Sequence, residues 1–129
     1  MSKYIPYHEP SIRCAEELTR GASSDAEKYR IITEFVTKSF RYDYIRAVTI
    51  PKKNGLPDLE RTWEKKRGIC LDIAAMTTGM LRAVGLHAFM CWGKADKKNH
   101  AWVEARIGGE WRRYDFNGKA KTYKAERVF

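Results

Sequence analysis

Cys70, His100 and Asp115 are the residues in this sequence whose types could together carry out acyl transfer. A cysteine becomes nucleophilic near neutral pH when its thiolate is stabilised, and an adjacent imidazole does this by taking the proton as imidazolium. A carboxylate on the far ring nitrogen fixes the tautomer and supports the positive charge. Taken alone, each residue has a plainer explanation. A lone Cys on an apolar helix is usually packing, a strand His can be a surface residue, and an Asp can simply end its strand. The case therefore depends on the elements that would bring the three together.

Cys70 follows Arg67-Gly68-Ile69 and opens the segment CLDIAAMTTGMLRAV. Ile73, Met76, Met80 and Val84 recur there at helical spacing, and Gly85 is placed to end a helix. The spacing predicts a central helix with Cys70 at its start, where unpaired N–H groups and the dipole favour a thiolate. Asp72 is a nearby negative charge, although two residues along a helix it points away from Cys70. Gly79 costs about 1 kcal/mol of helix propensity relative to Ala, which predicts another element packing closely at that point.

His100 to Ile107 and Glu110 to Phe116 read as two strands of a β-hairpin, because the intervening Gly108-Gly109 accepts the positive φ angles of a two-residue turn. That turn pairs Ile107 with Glu110, Arg106 with Trp111, Glu104 with Arg113 and Trp102 with Asp115. His100, Trp102, Glu104 and Arg106 then share a face with Asp115, Arg113 and Trp111. His100 falls diagonal to Asp115, with Cα atoms roughly 7 to 8 Å apart, within reach of a side-chain hydrogen bond. Cys14 and Cys91 have no such setting and read as packing. His8 and His87 carry no assigned role.

The rest of the chain supplies helices first and antiparallel strands last, an α+β layer fold. Ser11 to Thr19 reads as a short helix capped by Ser11, and Ser24-Asp25-Ala26-Glu27 is a capping box opening a stronger one through Phe40. Residues 43 to 60 read as irregular, punctuated by Pro51, Asn54-Gly55 and Pro57, with a helical turn from Pro57 through Trp63 to Lys65-Lys66-Arg67. Leu86 to Trp92 reads as a buried strand and Gly93 to Asn99 as a charged loop. The expected organisation is one domain over 1–129: an N-terminal arm and short helix over 1–22, a core over 23–118 and a basic tail over 119–129.

Composition narrows the function classes. The chain has 129 residues, 25 Lys+Arg against 16 Asp+Glu and 43% apolar residues, which excludes extended disorder and collagen-like repeats. Its formal charge of +9 disfavours strongly basic substrates and allows anionic partners. Lys52-Lys53, Lys65-Lys66-Arg67, Lys94 with Lys97-Lys98, and Arg112-Arg113 are scattered and match no nucleic-acid motif, so a solvated basic surface is expected and nucleic acid is not. No apolar run approaches the ~20 residues of a membrane span. The opening MSKYIPYHEPSIRC lacks an apolar signal core, so the chain as given carries no export signal; the compartment stays open between the cytoplasm and a domain cut from an exported protein. Three cysteines 56 and 21 residues apart form no CxxC pair, so neither a zinc site nor a disulfide framework is expected.

The motifs Gly68-Ile69-Cys70-Leu71-Asp72-Ile73-Ala74, Met80 to Leu86, His100-Ala101-Trp102-Val103-Glu104 and Gly109-Glu110-Trp111 ending in Tyr114-Asp115 resemble the transglutaminase-like superfamily of papain-type cysteine enzymes. Phe40-Arg41-Tyr42-Asp43 and Leu56-Pro57-Asp58 are similar to its bacterial branch, and the likeness covers about residues 15 to 118. It implies a papain-like core in which the Cys-bearing helix packs on a C-terminal antiparallel sheet. It also implies Cys70 as nucleophile, His100 as general base and acid, and Asp115 as the group orienting His100. The chain departs from the family where Pro usually follows the Asp, since Phe116-Asn117-Gly118 stands there, and where an aliphatic residue usually occupies the place of Trp63.

The implied activity is thioester-mediated acyl transfer on a peptide or carboxamide carbonyl, with a peptide or protein substrate, cell-wall material included, and no metal or organic cofactor; hydrolysis and cross-linking both stay open, with hydrolysis the favoured outcome because an amine-selective site needs walls that so small a domain has little room to build. Trp102 and Trp63 are the candidate substrate-contacting aromatics, each with packing as the alternative. The competing expectation is a catalytically silent module that binds an anionic polymer or protein partner.

Overall fold

A computed structural model describes residues 3–49, 55–118 and 120–129. Part of the expected irregular stretch, Ile50 to Asn54 with Pro51 and the Lys52-Lys53 pair, and Lys119 lie outside the described residues. The elements run α1 (Glu9–Leu18), α2 (Asp25–Ser39), β1 (Arg41–Tyr42), α3 (Tyr44–Thr49), α4 (Leu59–Lys65), β2 (Arg67–Gly68), α5 (Cys70–Ala83), β3 (His87–Ala95), β4 (Lys98–Ile107), β5 (Glu110–Tyr114) and β6 (Tyr123–Val128). This is the α+β architecture expected from the order of patterns.

Local chemistry explains most helix starts. Ser24 Oγ accepts from the Glu27 N–H at 3.1 Å, as the capping box predicts. Asp58 caps α4 by accepting from the Arg61 N–H at 3.0 Å. Helix α1 starts two residues before the expected cap, because His8 takes that position and its Nδ1 accepts from the Ser11 N–H. Pro10 suits the first turn, where its missing N–H costs nothing.

Helix α5 lies between helices α1, α2 and α4 on one side and strands β3 and β4 on the other. Ile73, Met76 and Met80 are fully buried in a core shared with Met90, Val103 and Ala105. The close packing expected at Gly79 is absent: a Cβ built there meets nothing within 4 Å. The sheet is antiparallel in the order β5-β4-β3-β6.

Two further expectations are corrected. The segment from Gly93 to Asn99 is not a loop. Strands β3 and β4 continue to Ala95 and from Lys98, turning through Asp96 and Lys97, which both take positive φ. Residues 123–128, expected within a basic tail, form β6 and add the outer strand beside β3. Among the described residues no helix is long and apolar enough to cross a membrane.

Candidate active site

Cys70 is the first residue of α5, so its N–H lacks an intrahelical partner. The approach to it is fixed by a short parallel ladder, in which Arg41 pairs with Arg67 and Tyr42 with Gly68. Only glycine fits at 68, since a Cβ there would lie within 3.0 Å of the Thr62 and Asp72 side chains. Asp72 is fully buried two residues beyond Cys70. Its carboxylate accepts from the Ile69 and Asp58 backbone N–H groups, at 3.0 and 2.8 Å, and pairs with the Arg46 guanidinium. The charge expected to oppose a thiolate is therefore already matched by a cation and held by the backbone. Sequence reasoning missed this network; the signal for it was an acid at the third helical position, where a carboxylate can reach back to the preceding N–H.

The hairpin has the expected register, with Ile107 opposite Glu110, Arg106 opposite Trp111 and Glu104 opposite Arg113. Continuing it by diagonal reach, His100 Nε2 lies 2.8 Å from Asp115 Oδ1. The other ring nitrogen is left for Cys70, and a hydrogen bond with that thiol joins the Asp115 bond in raising His100 to a pKa of about 10, the Asp115 bond being the larger cause. Asp115 is nearly closed to solvent, with 8% side-chain exposure against 20% for His100. Its Oδ2 accepts from the Tyr123 hydroxyl at 2.7 Å, a contact that sequence reasoning missed because residues 119–129 read as a tail.

The two aromatic candidates are placed differently. Trp102 sits beside His100, ring centroids 6.3 Å apart, but it is only 2% exposed and its indole N–H donates to Glu104 Oε2. It is nevertheless one of the walls of the narrow cleft at Cys70. Trp63 packs with Phe35, Phe40 and His8, and the Lys66 ammonium lies 3.6 Å from its ring centroid. That cluster is separate from the narrow cleft at Cys70, whose walls include Tyr42, Tyr114, Asp115 and Phe116. Burial raises the Cys14 thiol and pushes Cys91 up to about 11, in keeping with packing roles. Among the described residues no cluster of His, Cys, Asp or Glu is arranged to hold a metal ion.

The profile of the transglutaminase-like superfamily matches residues 12–116, most of the chain. The chain belongs to that superfamily. No curated protein matches its sequence. Among solved structures, a candidate cysteine protease from Cytophaga hutchinsonii superposes with a TM-score of 0.70 at 22% identity, over 89% of this chain and 39% of that one. A candidate protease from Parabacteroides distasonis gives 0.63 at 19% identity, over 81% and 22% of the two chains. A protein described as a TGase gives 0.65 at 20% identity, over 92% and 32%. The chain thus spans less than half the length of each of these transglutaminase-like relatives, and their likeness is one of fold.

Proposed function

We propose that this transglutaminase-like domain is a cysteine enzyme that cleaves a peptide or carboxamide bond through a thioester on Cys70. The observation that carries the reading is the chain of contacts from Cys70 to His100 to Asp115. Cys70 Sγ attacks the carbonyl carbon, the C–S bond forms, and the developing oxyanion is met by the free N–H at the start of α5. Tyr42 is the second donor. It lines the same cleft, and a thiolate at Cys70 helps burial raise its phenol. His100 gives its proton to the departing amine as the C–N bond breaks. Water then attacks the thioester, His100 takes its proton, and the carboxylic acid leaves with Cys70 restored.

Hydrolysis is favoured over cross-linking by the outer side of His100. That side opens on a wide hollow of about 350 Å3 between Lys98, Asn99 and Asn117, which gives water a path to the pair where an amine-selective site needs to exclude it. A second reading, a binding module for an anionic polymer, has its own support in a surface hollow framed by Lys94, Lys97 and Lys124.

Iodoacetamide labelling at graded pH separates the two. Under the enzyme reading Cys70 labels well below about pH 8 and ahead of Cys14 and Cys91, and Cys70→Ala keeps its circular dichroism but forms no thioester with peptide substrates. Slow, equal labelling of all three thiols favours the module.

A further inference from the structure

We infer that Tyr123 is a positioning residue for the reacting pair, holding the Asp115 carboxylate so that its other oxygen stays in line with the His100 imidazole. The inference rests on the proposed role of Cys70 and His100 and adds to that site a residue from an element outside the sequence motifs.

Asp115 Oδ1 is committed to His100 Nε2, and a carboxylate held at one oxygen can still turn about its Cβ–Cγ bond. The Tyr123 hydroxyl, 2.7 Å from Oδ2, fixes the second point and with it the plane.

The tyrosine is itself held from several sides. Its ring meets Trp102 edge-on at 5.0 Å, and the Arg113 guanidinium lies 3.9 Å from its centroid, tethered in turn to Glu104. The backbone leading into it is clamped by Asp96, whose carboxylate accepts from the Lys121 and Thr122 N–H groups and the Thr122 hydroxyl. The β6 chain comes so close to β3 that a Cβ at Gly93 would sit 2.0 Å from the Lys124 carbonyl oxygen. The charged and titratable groups around the site are Cys70 from α5, Tyr42 from β1, Lys98 from β4, Arg113 and Tyr114 from β5, and Asp96 from the β3–β4 turn.

Tyr123→Phe removes the hydroxyl and leaves the ring, so the test is the iodoacetamide alkylation rate of Cys70 against pH in wild type, Tyr123→Phe, Asp115→Asn and the double variant. The expected result is a rise in rate that comes about one pH unit later in Tyr123→Phe than in wild type, about tenfold slower labelling on the acid side. In the Asp115→Asn background the Tyr123 change adds nothing further, whereas a merely structural contribution would repeat itself there. Fast wild-type labelling with a superimposable Tyr123→Phe profile overturns the inference alone. So does an equal loss in both backgrounds, or a Tyr123→Phe protein that does not fold, since the hydroxyl would then be a structural requirement. Wild-type Cys70 labelling no faster than Cys14 and Cys91 overturns the parent reading and the inference together.

Discussion

Arg46 grips Asp72 through both carboxylate oxygens, Nε to Oδ2 at 2.8 Å and Nη2 to Oδ1 at 3.0 Å. The pair ties α3 to the first turn of α5 and leaves no uncompensated negative charge beside Cys70. Such bidentate geometry fixes direction as well as distance.

Asp72→Ala removes the buried partner of the largely covered Arg46 guanidinium and strands two backbone N–H groups. Breaking a buried pair by removing one partner costs about 3–5 kcal/mol, so the midpoint of urea unfolding should fall steeply. Loss of less than about 1 kcal/mol would mean that the network relaxes around water.

Gly118→Ala attacks the site from the turn. A Cβ there would lie 2.1 Å from Asp115 Oδ2, so the carboxylate must move or the turn must open. Acylation of Cys70 by a peptide substrate should drop on the order of 100-fold, the cost of displacing a reacting group's support by about an ångström. The measurement is single-turnover thioester formation, with circular dichroism to show the fold intact.

His100 makes stability depend on pH with a definite sign. Its pKa is 6.5 in the unfolded chain and about 10 in the native one, so the native state holds a proton that the unfolded state releases between those values. The contribution is complete below about pH 6.5 and disappears as pH climbs through about 10. Wild type should therefore lose its advantage in melting temperature over His100→Gln across that window. In Asp115→Asn the imidazole midpoint, followed by NMR, should fall back toward 6.5.

Gly79→Ala should stabilise the protein by about 0.5–1 kcal/mol, since the helical backbone already suits alanine and the new methyl meets open space. A loss of stability in chemical denaturation would show that some element does approach this turn of α5.

What could be read in advance was local. Gly108-Gly109 sets the register that brings His100 to Asp115, and Ser24 and Cys70 mark helix starts by chemistry within a few residues of themselves. What escaped depends on contacts distant in sequence or on weak local patterns. Arg46 and Asp72 are 26 residues apart. Helix α3 is six residues long and holds a β-branched Ile45 and Val48, so its local pattern is too short to announce a helix. Strand β6 reads Tyr-Lys-Ala-Glu-Arg-Val, its alternation broken by the adjacent Glu126 and Arg127, and its pairing with β3 is across some thirty positions. Trp102 lies beside His100 as the hairpin alternation predicts, but its edge-on contact with Tyr123 comes from β6, which no local pattern brings there.

The position of β6 at the sheet's margin has a kinetic meaning for the molecule. Five of its six residues are exposed, and among the described residues it is bonded to a neighbouring strand along one side only. Margins of this kind open by local fluctuation at lower free energy than a buried helix does. Amides of 124–128 should exchange with deuterium well ahead of those in α5. Each opening carries Tyr123 away from Asp115 while leaving the helical core shut. Mild denaturant should accordingly silence Cys70 chemistry before it diminishes the helical signal, so that the working site is a more fragile assembly than the fold that bears it.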